Sequence, residues 1–196
     1  HLCDRRQRQM CIRDSYQFIK ALLKNEKGLH IDKDHFMTIS PDEGSMSRAI
    51  YLANVLGVDM GMYYKRLDYS KYVNGRHPIA AYEFLGPKIE GKDMILIDDM
   101  ISSGDTILKI ASLLKKKGAG KVYICSTFGF FTDGLDKFDD AYKKGYFDKL
   151  LTTNLVYQAP ELLEKPYYIS CDMSKYIALI IDTPVSYTHL TLPTIA

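Results

Sequence analysis

Two adjacent carboxylates follow a run of four apolar residues in the stretch MILIDDMISSGDT, residues 94–106. We expect Asp98 and Asp99 to be the last residues of a buried strand. Paired carboxylates at an open strand end can accept hydrogen bonds from vicinal hydroxyls or bind a hard divalent cation such as Mg²⁺. Two like charges side by side are unfavourable unless a ligand or a cation compensates them, so the pair indicates a binding site.

A short polar loop follows the two acids and leads into a predicted helix. The loop consists of Ser102, Ser103, Gly104, Asp105 and Thr106. A helix N-terminus offers free backbone N–H groups and the positive end of the helix dipole, which suits a phosphate. Carboxylates for a diol beside a loop for a phosphate fit ribose 5-phosphate. On this motif alone, a helix cap with a solvated turn is an equally good interpretation.

The elements that must position these residues alternate along the chain. Hydrophobic periodicity predicts strands over 35–40, 58–64, 94–97, 122–127, 149–153 and 167–170, and helices over 16–24, 45–56, 106–117, 135–144 and 173–181. This alternation predicts an α/β fold, a doubly wound and mostly parallel sheet flanked by helices. Ligands of such sheets bind beyond the carboxyl ends of the strands, where the loops 41–47, 65–78 and 98–106 would meet.

The helix predicted over 45–56 has an apolar face that we expect to be buried. We expect Met46, Ile50, Ala53 and Val55 to point inward, and Gly57 to end the helix.

Composition excludes several classes of protein. The chain has 196 residues, 46% hydrophobic content and a formal net charge of +2, which argues against a dedicated nucleic-acid binder. No apolar run approaches the length of a membrane span. The four cysteines (Cys3, Cys11, Cys125 and Cys171) lack metal-ligand spacing. Because Cys125 lies in an apolar run, we expect reduced thiols and a cytoplasmic location.

The two ends of the chain differ from the rest. Residues 1–15 and 186–196 lack a clean period and resemble translated adapter or vector DNA. We expect both to be non-native extensions, which leaves residues 16–185 as one domain. Frayed native termini are the alternative.

Three motifs resemble a known family. ILIDDMISSGDT is similar to the phosphoribosyl-pyrophosphate (PRPP) signature of type I phosphoribosyltransferases and, more closely, of ribose-phosphate diphosphokinases (PRPP synthetases). ISPDEGSMSRA, residues 39–49, resembles the SPD-x-G loop of the second family, and YYKRLDYS resembles the start of its catalytic flexible loop. The order of the motifs also agrees. The resemblance covers residues 16–183 and corresponds to the C-terminal part of such an enzyme, with a type I phosphoribosyltransferase-like domain.

The resemblance implies an activity and its ligands. The enzyme would transfer the diphosphate of ATP to ribose 5-phosphate, with Mg²⁺, and would assemble as a homo-oligomer without nucleic-acid or membrane partners. By the same resemblance, Asp98 and Asp99 contact the ribose hydroxyls, and residues 102–106 hold the 5-phosphate.

The resemblance also assigns the metal and the catalytic residues. Asp42 would help to place a Mg²⁺ ion that carries the nucleotide phosphates. Lys65 would stabilise charge as the ribose 1-hydroxyl attacks the β-phosphorus of ATP. Arg66, together with Arg76, would add positive charge near the polyphosphate.

Four positions depart from the family pattern. Leu67 stands where a second arginine is usual, and Ser102 replaces an aspartate at the head of the phosphate loop. Asp105 replaces a glycine and brings a carboxylate near a phosphate, which is unfavourable unless its side chain turns away or caps the helix. Glu43 replaces a histidine.

Two other functions stay open. One is a phosphoribosyltransferase that uses PRPP and a base. The other is a non-catalytic, PRPP-synthetase-like regulatory subunit, which Leu67 favours. Such enzymes also have an N-terminal domain for which we identify no counterpart in this sequence.

Overall fold

The computed structural model describes residues 2–67, 70, 72 and 79–189, and the side chains of residues 14–66, 70, 72 and 80–182. Its strands are β1 (Phe36–Ser40), β2 (Asp59–Leu67), β3 (Ile79–Leu85), β4 (Asp93–Ile101), β5 (Val122–Gly129), β6 (Lys149–Thr153) and β7 (Tyr168–Cys171). They form one seven-stranded sheet in the order β3-β2-β1-β4-β5-β6-β7. All neighbouring pairs are parallel except β2 and β3, which are antiparallel.

Helices cover both faces of this sheet. They are α1 (Leu2–Asn25), α2 (Met46–Leu56), α3 (Asp105–Lys116), α4 (Asp136–Lys143), α5 (Pro160–Leu163) and α6 (Ser174–His189). Successive strand residues point to opposite faces. In β4, Met94 and Leu96 accordingly join the core under α3 and α4, whereas Ile95 and Ile97 join the core under α1 and α2. The predicted doubly wound α/β fold is confirmed.

Strand β4 is longer than its apolar run. Its pairing with β5 continues through Met100 and Ile101, which lie opposite Phe128 and Gly129. The expectation that Asp98 and Asp99 end the strand is therefore wrong. Both residues lie within β4, which ends two residues later at Ile101. The reason is that backbone hydrogen bonds to a neighbouring strand, which are independent of side-chain polarity, define the strand end.

The inner face of α2 also differs from the prediction. Its buried residues are Ala49, Leu52 and Ala53, so of the four predicted inward residues only Ala53 is confirmed. Met46, Ile50 and Val55 are exposed, Val55 to 61%. The small side chains of the two alanines allow the helix axis to lie close to the sheet, which explains why this face of α2 is the buried one. Gly57 ends the helix as predicted, in a left-handed conformation with φ of 67°.

Helix α1 begins before the predicted domain boundary at residue 16. Asp14 is buried, and its Oδ2 accepts hydrogen bonds from Arg48 at 2.8 Å and from the Thr127 hydroxyl at 2.6 Å. Burial raises the pKa of the Asp14 carboxyl, although the Arg48 charge opposes this. Whether residues 1–15 and 186–196 are non-native stays a prediction. No helix in the described part of the chain has both the length and the apolar character needed to cross a bilayer.

Candidate functional site

The carboxyl ends of β1, β2 and β4 lie at one edge of the sheet, because the three strands are adjacent and parallel. The segments that follow β1 and β4 enclose an open cavity of about 320 Å³ there. Its lining consists of Asp42, Gly44, Ser45 and every residue from 98 to 107. The structure thus brings together the proposed metal residue and all seven predicted ribose 5-phosphate residues.

Asp98 lines this cavity. Its Oδ1 accepts hydrogen bonds from the hydroxyl of Ser45 at 2.5 Å and from the backbone N–H of Asp99 at 2.9 Å. Burial raises the pKa of the Asp98 carboxyl to about 6, and the negative charges of Asp99 and Asp42 act in the same direction. The paired acids therefore repel one another in the absence of a ligand, as expected for a site that binds a cation or a diol.

The loop after β1 holds Asp42 in a fixed orientation. Its Oδ1 accepts hydrogen bonds from the backbone N–H groups of Gly44 at 3.0 Å and Ser45 at 3.4 Å, which forms a local turn around the carboxylate. The hydroxyl of Ser40 donates to the backbone carbonyl of Asp42 at 2.6 Å. The second carboxylate oxygen, Oδ2, lies 3.5 Å from the ammonium of Lys65.

Lys65 and Arg66 point to opposite faces of the sheet, because they are successive residues of β2. Lys65 reaches Asp42 beside the cavity. Arg66 instead forms an ion pair with Glu83 of β3, with its Nε 3.0 Å from Oε1 of Glu83. Tyr64 also donates to Glu83, at 2.5 Å. The structure therefore does not bring Arg66 into the cavity.

This outcome for Arg66 has a physical cause that the sequence did not reveal. Strand β3 was not predicted, and its pairing with β2 places Glu83 opposite Tyr64. The side chain of Leu67 and all of Arg76 lie outside the described residues.

The phosphate loop requires the glycine at position 104. Gly104 has a φ of 82°, and a Cβ atom there would lie 2.3 Å from Cζ of Phe138. Only glycine avoids both the backbone strain and the clash. This tight turn directs the first residues of α3, Asp105 to Ile107, toward the cavity.

The side chain of Asp105 contacts both α4 and the loop, and Asp105 itself lines the cavity. Its Oδ1 lies 2.8 Å from the ammonium of Lys137, and its Oδ2 accepts a hydrogen bond from the Ser103 hydroxyl at 3.0 Å. The hydrogen bond from Lys137 lowers the pKa of the Asp105 carboxyl. Lys137 of α4, which also pairs with Asp133 at 2.9 Å, thus offsets part of the charge of this carboxylate and reduces its repulsion of a bound phosphate.

The donor set fits a magnesium ion that arrives with its substrate. Three carboxylates, Asp42, Asp98 and Asp99, line the cavity. Among the described residues, no group of three or more His, Cys, Asp or Glu side chains is arranged to hold a metal ion. Mg²⁺ is commonly bound by one or two carboxylates together with substrate phosphates and water, and these residues suit that mode.

The sequence did not indicate three residues that contact the predicted site residues. Ser45 donates a hydrogen bond to Asp98. Lys137 forms an ion pair with Asp105, and Glu83 forms one with Arg66. Each acts on a partner between 17 and 53 positions away, so no local motif indicates it. The serine-rich loop after β1 was the one available signal, and it points only to Ser45.

Comparison with known proteins identifies the family of this chain. Residues 12–165 match the family model described as phosphoribosyl transferase domain. A ribose-phosphate pyrophosphokinase from Mycoplasmopsis pulmonis (strain UAB CTIP) is 29% identical over 169 residues, which are 84% of this chain and 50% of that protein. A ribose-phosphate pyrophosphokinase from Thermococcus kodakarensis is 35% identical over 98 residues, which are 50% of this chain and 32% of that protein. The chain thus spans between about a third and a half of the length of these relatives.

A solved structure shares the fold. The crystal structure of phosphoribosylpyrophosphate synthetase from Mycobacterium smegmatis aligns with a TM-score of 0.64 at 23% sequence identity, covering 78% of this chain and 45% of that chain. The resemblance found in the motifs is therefore confirmed by the family model, by the relatives' sequences and by the fold. The chain belongs to the phosphoribosyl transferase domain family, and within that family it is similar to ribose-phosphate pyrophosphokinases.

Proposed function

We propose that this chain forms part of a ribose-phosphate diphosphokinase, which transfers the diphosphate of ATP to ribose 5-phosphate and produces PRPP and AMP. The observation that carries the proposal is the single cavity that joins Asp42, the paired acids Asp98 and Asp99, and the phosphate loop. The expected homo-oligomer and cytoplasmic location remain predictions.

The sugar phosphate would lie along β4 and the start of α3. Both hydrogen bonds that Asp98 accepts from described residues go to Oδ1, so Oδ2 is available for a ribose hydroxyl. Asp99 is exposed at the same edge and offers a second acceptor. The 5-phosphate would bind the N–H groups and hydroxyls of residues 102–106, where the positive end of the α3 dipole favours an anion.

The proposed reaction needs no covalent bond between the protein and the substrates, so the protein would act by positioning and by stabilising charge. The ribose 1-hydroxyl attacks the β-phosphorus of ATP, and the bond from that phosphorus to the α,β-bridging oxygen breaks, which releases AMP. When bound, Mg²⁺ would neutralise phosphate charge. Asp42 would hold it, and Lys65, 3.5 Å from Asp42, would stabilise charge on the transferring group.

A non-catalytic, sugar-phosphate-binding subunit is the second candidate. Within the described residues, no lysine or arginine lines the cavity, and Arg66 is paired with Glu83 elsewhere. A diphosphate transfer with few cations would be slow, whereas binding of ribose 5-phosphate would be preserved. This arrangement is the specific observation that favours binding without turnover.

One assay separates these functions. The protein is incubated with ATP, ribose 5-phosphate and Mg²⁺, and AMP is measured by chromatography. AMP that depends on ribose 5-phosphate supports the diphosphokinase. Saturable binding of ribose 5-phosphate without AMP supports the non-catalytic subunit, and pyrophosphate released from PRPP and a base would support a phosphoribosyltransferase. An absence of all three contradicts the proposed function.

A further inference from the structure

Ser45 links the two segments that line the cavity, the loop after β1 and residues 98–107. It is 3% exposed and lies at the N-cap position of α2. Its hydroxyl donates to Oδ1 of Asp98 at 2.5 Å, and its backbone N–H donates to Oδ1 of Asp42 at 3.4 Å. One residue therefore contacts both the proposed metal-binding carboxylate and the proposed ribose-binding carboxylate.

The hydroxyl of Ser45 does not cap the N-terminus of α2. A serine at the N-cap normally accepts a hydrogen bond from a backbone N–H in the first turn of the helix, which stabilises the helix. Here α2 has no side-chain cap, and the hydroxyl is directed across to β4 instead. A hydrogen bond from a hydroxyl to a carboxylate is charge-assisted and stronger than one between neutral groups.

We propose that Ser45 is a positioning residue, which fixes the Asp98 carboxylate so that Oδ2 faces the vicinal hydroxyls of a bound ribose phosphate. This inference deepens the proposed function and rests on it. Without the Ser45 hydroxyl, the carboxylate can rotate about its last side-chain bond and lose this orientation. Neither the phosphate loop nor the fold of α3 depends on the Ser45 hydroxyl, so phosphate binding should persist.

The test measures affinities for three ligands by isothermal titration calorimetry in Mg²⁺-free buffer. The ligands are ribose 5-phosphate, 2-deoxyribose 5-phosphate, which lacks the vicinal diol, and inorganic phosphate. In Ser45→Ala we expect ribose 5-phosphate to bind about tenfold more weakly, as is typical for loss of one such hydrogen bond. Affinity for 2-deoxyribose 5-phosphate should fall less, and affinity for inorganic phosphate should stay within about twofold.

A matched control removes a buried hydroxyl elsewhere. Ser112 of α3 is 7% exposed and donates only to the Lys109 carbonyl of its own helix, at 2.7 Å. Ser112→Ala should leave all three affinities unchanged. Circular dichroism verifies folding of each variant. If Ser45→Ala does not fold, Ser45→Cys, which keeps the size but has a weaker donor, provides the same comparison.

Two results would overturn the role of Ser45. One is an unchanged affinity for ribose 5-phosphate, and the other is an equal loss for all three ligands, which would indicate a general disturbance of the loop. Failure of the proposed function has a different signature: the wild-type protein would itself show no preference for ribose 5-phosphate over its 2-deoxy analogue.

Discussion

The ammonium of Lys137 lies 2.8 Å from Oδ1 of Asp105, so a residue of α4, which also pairs with Asp133 at 2.9 Å, offsets part of the charge of the carboxylate that begins α3. Asp105 is 68% exposed, and its second oxygen accepts a hydrogen bond from Ser103. The family pattern has glycine at this position, and the ion pair explains how the phosphate loop tolerates an acid there.

Removal of Lys137 should expose a bound phosphate to the charge of Asp105. We expect Lys137→Gln to weaken ribose 5-phosphate binding about two- to fivefold at low ionic strength, a small effect because the pair is exposed. The double variant Asp105→Asn/Lys137→Gln should regain the wild-type affinity. Calorimetric titrations at low and high salt check this, since salt screens the repulsion. An affinity for Lys137→Gln equal to that of the wild type at low salt would contradict it.

Lys65 and Arg66 should differ in their effect on catalysis. We expect Lys65→Ala to lower the rate of AMP formation about a hundredfold, because it removes the cation beside Asp42. Arg66→Ala, whose guanidinium pairs with Glu83 outside the cavity, should lower the rate less than tenfold. Both should bind ribose 5-phosphate with wild-type affinity. Steady-state rates of both variants and of the wild type provide the measurement, and a wild-type rate for Lys65→Ala would remove Lys65 from the mechanism.

Gly104 should tolerate no side chain. Gly104→Ala combines a left-handed backbone with a Cβ atom 2.3 Å from the Phe138 ring, and we expect the free energy of unfolding to fall by about 3 kcal/mol. Gly134 is the matched control, because its φ is 78° but no atom lies within 4 Å of the added Cβ. Gly134→Ala should cost only about 1 kcal/mol. Denaturant titration of both variants checks the difference, and equal costs would show that the contact with Phe138 is unimportant.

Asp98 should make stability depend on pH in an unusual direction. Its carboxyl has a pKa of about 6 in the folded protein, against 3.8 without burial. As the pH rises from 3.8 to 6, the unfolded state loses this proton first, so the folded state becomes less stable, and the deficit is constant above pH 6.

Replacement of Asp98 by asparagine removes this penalty. In metal-free buffer at neutral pH, we expect Asp98→Asn to raise the free energy of unfolding by about 1–2 kcal/mol. The difference should disappear below pH 3.8, where both folded and unfolded wild-type chains are protonated. Urea titrations across this range provide the measurement. A variant that is less stable than the wild type at neutral pH would contradict the account of Asp98.

The cavity could be predicted because its parts obey local rules. The loops after β1 and β4 were recognisable from their turn residues, and each follows a strand with a clear apolar run. Once those strands are parallel and adjacent, their carboxyl ends must lie at one edge of the sheet. This is why the loops that contain Asp42, Asp98 and the phosphate-binding residues could be expected to meet, whereas the role of Asp42 came from the family resemblance.

Strand β3 could not be predicted in the same way. It is an edge strand, and the described side chains from Ala80 to Leu85 are partly or fully exposed, so its sequence carries little alternation. Its pairing with β2 is a contact between distant segments. As a consequence, the sequence did not indicate the position of Glu83 or its ion pair with Arg66.

The inner face of α2 shows a second limit. Apolar residues surround most of this helix, so several stripes satisfy a helical period. Close packing against the sheet selected Ala49, Leu52 and Ala53, and left Met46 and Ile50 exposed. Periodicity therefore indicated the helix correctly but could not choose its buried side.

The most direct test of the account is calorimetric titration of ribose 5-phosphate into the wild-type protein and Asp98→Asn. We expect saturable binding to the wild type and at least about tenfold weaker binding to the variant, because a carboxylate accepts hydrogen bonds from sugar hydroxyls more strongly than an amide does. Circular dichroism should show that the variant is folded. An absence of saturable binding to the wild type, or equal affinity in a folded Asp98→Asn variant, would contradict the proposal that this cavity binds a phosphorylated ribose.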